Sequence, residues 1–194
     1  MLTGPTRKLL YALALVALLV NPGCKYFSRT SDDQLKEANK VADEADALAA
    51  KVDDAYNQAT KKEDEIKAEK KDKARIQKVN KEVAALYDQA AQDAGQAADK
   101  YEEASKLKVD TKYQEYLKLR SQQMRKRGAQ LAALKERSDA MNDPKLKPGS
   151  KAYKDKLADA KSRSERLKKE TDDLKEQADK MQKENGDKFK AKST

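Results

Sequence analysis

The sequence predicts an all-α protein: an elongated antiparallel helical bundle or coiled coil, with a long N-terminal helix plus a helical hairpin. Three observations predict it. The 194-residue chain is rich in Ala, Lys, Glu, Asp, Gln and Leu, with 40% charged residues and neither Trp nor His. Beyond residue 24, apolar residues recur at alternating steps of three and four. Past the same point, Pro144 and Pro148 are the only prolines, so little else forbids a helix.

Ser31-Asp-Asp-Gln34 reads as a capping box, in which Ser31 caps a helix start and Gln34 reaches back. Asp32 and Asp33 stand where the helix dipole favours negative charge. Leu35, Ala38, Ala42, Ala45, Ala49, Val52, Tyr56 and Ala59 then form a heptad seam. Alanine permits close helix approach but buries less area per contact than leucine. From Lys61 to Arg75 the seam thins, and pairs such as Glu63 with Lys67 and Glu69 with Lys73 are expected to hold a helix through a bend. Residues 31–75 are thus expected to form an alanine-rich and charged helix, assigned as a stalk. Folding back as a fourth helix and pairing with another chain are the alternatives.

Apolar spacing resumes with Ile76, Val79, Val83, Leu86, Tyr87, Ala90, Ala94, Ala97, Tyr101 and Ala104. A turn follows Lys106-Leu-Lys-Val109, with Asp110 or Thr111 capping the next helix. That helix carries Tyr113, Leu117, Met124, Leu131, Leu134 and Met141 in one frame, and Asn142-Asp-Pro-Lys-Leu-Lys-Pro-Gly149 ends it. Ser150 starts a last helix with Tyr153, Leu157, Ala160, Leu167, Leu174, Ala178 and Met181 on its stripe. Asn185-Gly186 is a left-handed C-cap signal, and 187–194 reads as a basic tail. Stretches 76–108, 111–142 and 150–185 therefore predict a three-helix antiparallel bundle over 76–186, each helix about 50 Å long.

The first 24 residues predict an address. Arg7 and Lys8 precede the apolar run Leu9–Val20, and Asn21-Pro-Gly-Cys24 follows, ending on the only cysteine. The run is short of the roughly 20 apolar residues that a spanning helix needs, so it reads as a secretory signal. Residues 1–24 resemble the signal peptide of a bacterial lipoprotein, with Asn21 and Pro22 departing from the family's usual aliphatic and small residues. The resemblance implies that 1–23 is removed, that Cys24 is lipidated, and that 24–30 is a tether. Acyl chains on Cys24 would insert in membrane lipid, and stable attachment needs two or more. Lys25 stands where some lipoproteins carry an inner-membrane retention aspartate, which favours the outer membrane, with the body in the periplasm. The seam from Leu35 to Ala59 resembles alanine-zipper envelope lipoproteins, which link outer membrane to peptidoglycan. That implies a structural scaffold whose partners are peptidoglycan, an envelope protein or a second copy of the chain. The alternative is a tethered helical adaptor or holdase-type module for envelope proteins, anionic lipid or glycan.

Chemistry is sparse. Without His, and with Cys24 assigned to the anchor, triads, Cys–His pairs and the common zinc sites are not expected, nor is a phosphate loop. No catalytic residue, metal ligand or cofactor is assigned. The net charge of +9 becomes +7 without Arg7 and Lys8, and export makes nucleic acid a poor partner. One local anomaly stands out: Lys112 to Arg127 carries six basic residues against Glu115 alone. Arg120, Arg125, Lys126 and Arg127 are candidate anion-binding residues, arginine offering forked donors. Alternatively, Arg120 and Arg127, which point to the seam, pair with acids of neighbouring helices such as Asp93 or Glu103, or lay their stems along the core.

Overall fold

A computed structural model of the protein describes residues 31–68 and 72–189. Four helices follow one another: α1 (Ser31–Ala68), α2 (Lys73–Ser105), α3 (Thr111–Asn142) and α4 (Lys151–Asn185). A 3-10 turn over Gly186–Lys188 comes after them. The described residues contain no strand, and no helix among them is long and apolar enough to cross a membrane. This is an all-α helical bundle. The expected signal peptide 1–23, Cys24 and the tether 24–30, Glu69 of the expected Glu69–Lys73 pair, and residues 190–194 of the expected tail lie outside the described residues.

Local side chains set the helix starts. Asp72 accepts the Arg75 backbone N–H at 3.0 Å, Asp110 that of Lys112 at 2.8 Å, and Ser150 that of Tyr153 at 3.2 Å. Asp110, not Thr111, is therefore the cap of α3. Before α4 the chain reverses through Gly149, whose φ of 83° is a conformation that other residues enter only with strain. The short turns make consecutive helices antiparallel, so α1 and α3 run parallel.

Five expectations need correction. Ion pairs do not carry one helix through 61–75: α1 ends at Ala68 and α2 starts afresh after Asp72. Lys67 turns back to Asp64 at 2.8 Å, while Glu63 faces Arg137 at 3.7 Å. Gln34 braces a turn, its carboxamide oxygen accepting the Lys108 backbone N–H at 2.7 Å.

The stalk assignment is also overturned. α1 packs along α2 as a fourth bundle helix, and extended backbone packing joins α1 to α2, α2 to α3 and α3 to α4. Two core clusters sit among the first three helices. One gathers Ala38, Ala45, Ala97, Tyr101, Leu117 and Met124; the other gathers Val52, Ala59, Val83, Tyr87, Ala94 and Leu131. The physical reason is complementarity: small residues on α1 meet small residues on α2, and close approach recovers the dispersion contacts that each alanine lacks alone.

α4, expected as a full bundle member, contributes least to the core. It fully buries only Ala160, Ser164, Thr171 and Ala178, and its leucines are half-buried. Pairs four residues apart line its outer face, among them Lys161–Glu165, Lys168–Asp172 and Lys175–Asp179. Each adds a few tenths of a kcal/mol to helix stability.

Finally, the helix does not stop in a left-handed cap. Gly186 has φ −57°, and the chain tightens into the 3-10 turn. That turn carries Phe189 into the core, its ring 4.8 Å from Tyr113 and 5.3 Å from Tyr116.

Candidate functional site

The seam between α1 and α3 holds a repeated polar arrangement. Reading upward from the Ser31 end, Gln34 meets Lys108, Asn39 meets Tyr113, Asp46 meets Arg120, Asp53 meets Arg127 and Glu63 meets Arg137. Every one of these pairs is 74 residues apart in sequence. One register therefore runs along both parallel helices, which is possible because acids seven apart on α1 face arginines seven apart on α3.

Each of two arginines repeats the same local geometry. Arg120 Nη1 donates to Gln123 Oε1 at 3.1 Å, and Arg127 Nη1 donates to Gln130 Oε1 at 2.8 Å, both glutamines being buried. The guanidinium of Arg120 lies 5.2 Å from the Tyr101 ring centroid, and that of Arg127 lies 4.2 Å from the Tyr56 ring centroid. Arg120 Nη2 also donates to the Tyr101 hydroxyl at 2.8 Å and to Asp46 at 3.1 Å. The same hydroxyl donates to Asp46.

Exposure decides which part of this ladder stabilises the fold. The side chains of Arg120 and Arg127 are 16% and 14% exposed, but Asp46 and Asp53 are 56% and 73% exposed. Water screens the charge pairing, which contributes at most about 1 kcal/mol per pair. The buried stems and ring contacts carry the rest.

The arginines thus pair with acids as one reading expected, but the acids belong to α1. Asp93 is instead a buried acceptor for the Gln89 carboxamide at 3.1 Å. Arg125 reaches Asp99 at 3.0 Å and Glu102 at 2.5 Å on α2, and Lys126 reaches Glu170 at 2.6 Å on α4. The four candidate anion-binding residues are therefore not brought together; they face α1, α2 and α4, and each already has a carboxylate.

Toward the Ser31 end lies a cavity of about 680 Å³ that sequence reasoning missed. Its walls are Asn39, Asp43 and Asp46 of α1, Tyr101, Tyr113 and Tyr116, and the C-terminal stretch from Gln182 to Phe189. Tyr101 and Tyr113 are legible as seam residues, but nothing local to the sequence shows that Phe189 returns to meet them. Among the described residues no group of three His, Cys, Asp or Glu side chains is placed to hold a metal ion. The site offers hydrogen bonding and aromatic contact.

Burial pushes the hydroxyls of Tyr87, Tyr101 and Tyr113 well above the ordinary tyrosine range. In the unfolded chain they ionise at about pH 10, so their contribution is complete below that pH and falls above it. Each tyrosine that stays protonated only in the folded state removes about 1.4 kcal/mol of stability per pH unit. Alkaline titration is expected to show helicity lost together with the last tyrosinate absorbance. Full tyrosinate formation with helicity intact would contradict the burial.

No protein-family model matches the chain, and no curated protein or solved structure matches it. The class that fold and site define is an all-α bundle with an internal arginine ladder.

Proposed function

We propose that this chain is a non-enzymatic, membrane-anchored lipoprotein of the cell envelope with a structural or scaffolding helical body. The observation that carries the reading is the charged start, the apolar run Leu9–Val20 and the single Cys24 directly after a helix-breaking turn. An acylated Cys24 holds the chain to membrane lipid, the outer membrane by preference, and the body stands in the periplasm. The bundle supports a spacing role. Helices of 32 to 38 residues, about 50 Å long, are cross-braced in one register, which resists sliding of one helix along another. Peptidoglycan, an envelope protein or a second copy are the partners this reading admits.

Intact mass spectrometry of membrane-extracted protein, beside a Cys24→Ser variant, tests the anchor. The expected mass begins at Cys24 and includes acyl chains, and the variant lacks the acyl mass and leaves the membrane fraction. A wild-type protein that keeps residues 1–23 and carries no acyl group would remove the lipoprotein reading.

The second reading, a tethered adaptor or holdase-type module, is favoured by one observation, the aromatic cavity beneath the C-terminal turn. It requires salt-sensitive capture of envelope components by the anchored protein.

A further inference from the structure

We propose that the end of the bundle at the α3–α4 turn is a docking surface for an anionic lipid bilayer. Charge is divided along the bundle. From Lys145 to Lys168 nine basic residues stand against three acidic ones, whereas from Ser31 to Ala49, at the opposite end, two lysines stand against six acids. The later cations of α4 have local partners, as in Lys161–Glu165 and Lys168–Asp172. Lys145, Lys147, Lys151 and Lys154 are exposed, and none has an ion-pair partner among the described residues.

Their placement opposes local stability. Lys151 and Lys154 occupy the first turn of α4, which holds no acidic residue, although the positive end of the helix dipole favours anions there.

The shape of the patch selects its partner. The lysines surround the turn Pro144-Lys-Leu-Lys-Pro-Gly149, in which every residue except the half-buried Leu146 is exposed. Lysine is a hydrated point charge on a flexible stem, suited to a diffuse field more than to forked recognition of one anion. A protruding group of such charges matches a flat, laterally dense negative surface, and each lysine near an anionic membrane strengthens binding about fivefold. Leu146, flanked by Lys145 and Lys147, is placed to meet the headgroup boundary. The inference stands without the anchored-envelope reading, because the patch belongs to the folded body.

Flotation of the purified full chain with vesicles tests it. Vesicles of phosphatidylcholine alone report whatever binding is independent of charge. Adding phosphatidylglycerol is expected to increase binding, and the increase should shrink with salt. Replacing Lys145, Lys147, Lys151 and Lys154 together by Gln should abolish the increase, at about fivefold per lysine. A Lys145→Gln, Lys147→Gln double variant, altered only outside the helices, should lose a smaller part of it with helicity unchanged. A variant of equal net charge, with Lys36, Lys118, Lys180 and Lys183 changed to Gln, should keep it. Equal losses in the two fourfold variants would reduce the effect to net charge and overturn the proposal. So would the absence of any increase with wild type. Binding of soluble polyphosphate, lost in the turn variant, without a vesicle response would assign the patch to a dissolved polyanion and overturn the bilayer.

Discussion

Replacing Tyr101 by Ala should destabilise the bundle by about 4 kcal/mol, the cost of deleting a large buried ring and leaving a cavity. Tyr101, on α2, is 1% exposed and reaches both α1 and α3. Its ring lies beside the Arg120 guanidinium, and its hydroxyl meets both Arg120 and Asp46. Tyr101→Phe separates the two contributions. It keeps the ring and removes the hydroxyl, and the expected loss is about 1 kcal/mol. Urea unfolding followed by circular dichroism measures both. Equal losses in the two variants would mean that the hydroxyl, and not the ring, holds the seam; a loss below 1 kcal/mol for Tyr101→Ala would remove Tyr101 from the core.

The second large effect concerns two glycines inside helices. A Cβ on Gly128 would lie 3.3 Å from the Ala91 carbonyl oxygen and 3.5 Å from the Ala94 Cβ, so α2 and α3 approach closely there. Gly128→Leu must force a branched side chain into that contact, and overpacking of this kind costs about 2 kcal/mol. A Cβ on Gly95 would meet nothing within 4 Å. Gly95→Ala should therefore stabilise the protein by up to about 1 kcal/mol through helix propensity alone. Melting temperatures that shift in opposite directions are the expected result. A stabilised Gly128→Leu variant would show that the helices stand farther apart than this packing requires.

Those glycines also show where sequence reading stops. Both stand isolated in helix interiors, and for Gly128 a mild weak point and a close-packing site are equally open from the sequence. What separates them is the facing helix: a Cβ on Gly128 meets α2, and one on Gly95 meets nothing. The same holds for α1. Its alanine seam is plain from Leu35 to Ala59, yet a seam of small residues is equally consistent with a stalk, a fold-back or a second chain. Its match to the alanines of α2 settles the matter through the area that close approach buries. Arg120 and Arg127 stand out as basic residues in an apolar frame, but Asp46 and Asp53 are ordinary members of a charged helix until α1 is laid beside α3. The cavity depends on Phe189, which in sequence belongs to a polar tail and in the structure closes an aromatic cluster with Tyr113 and Tyr116.

The helical stretches and the turns at 106–111 and 142–150 are legible in the sequence, whereas the break between α1 and α2 is not. Caps such as Asp110 and Ser150, and the breaks at Pro144, Pro148 and Gly149, act on backbone within a few residues. Only the packed helices show that α1 joins the core, that α4 lies at its margin, and that Arg120, Arg127 and Arg137 take carboxylates from α1 while Arg125 takes them from α2. Those outcomes depend on which faces come within a few ångströms of one another, and dispersion and ion pairing are set by that distance and not by spacing along the chain.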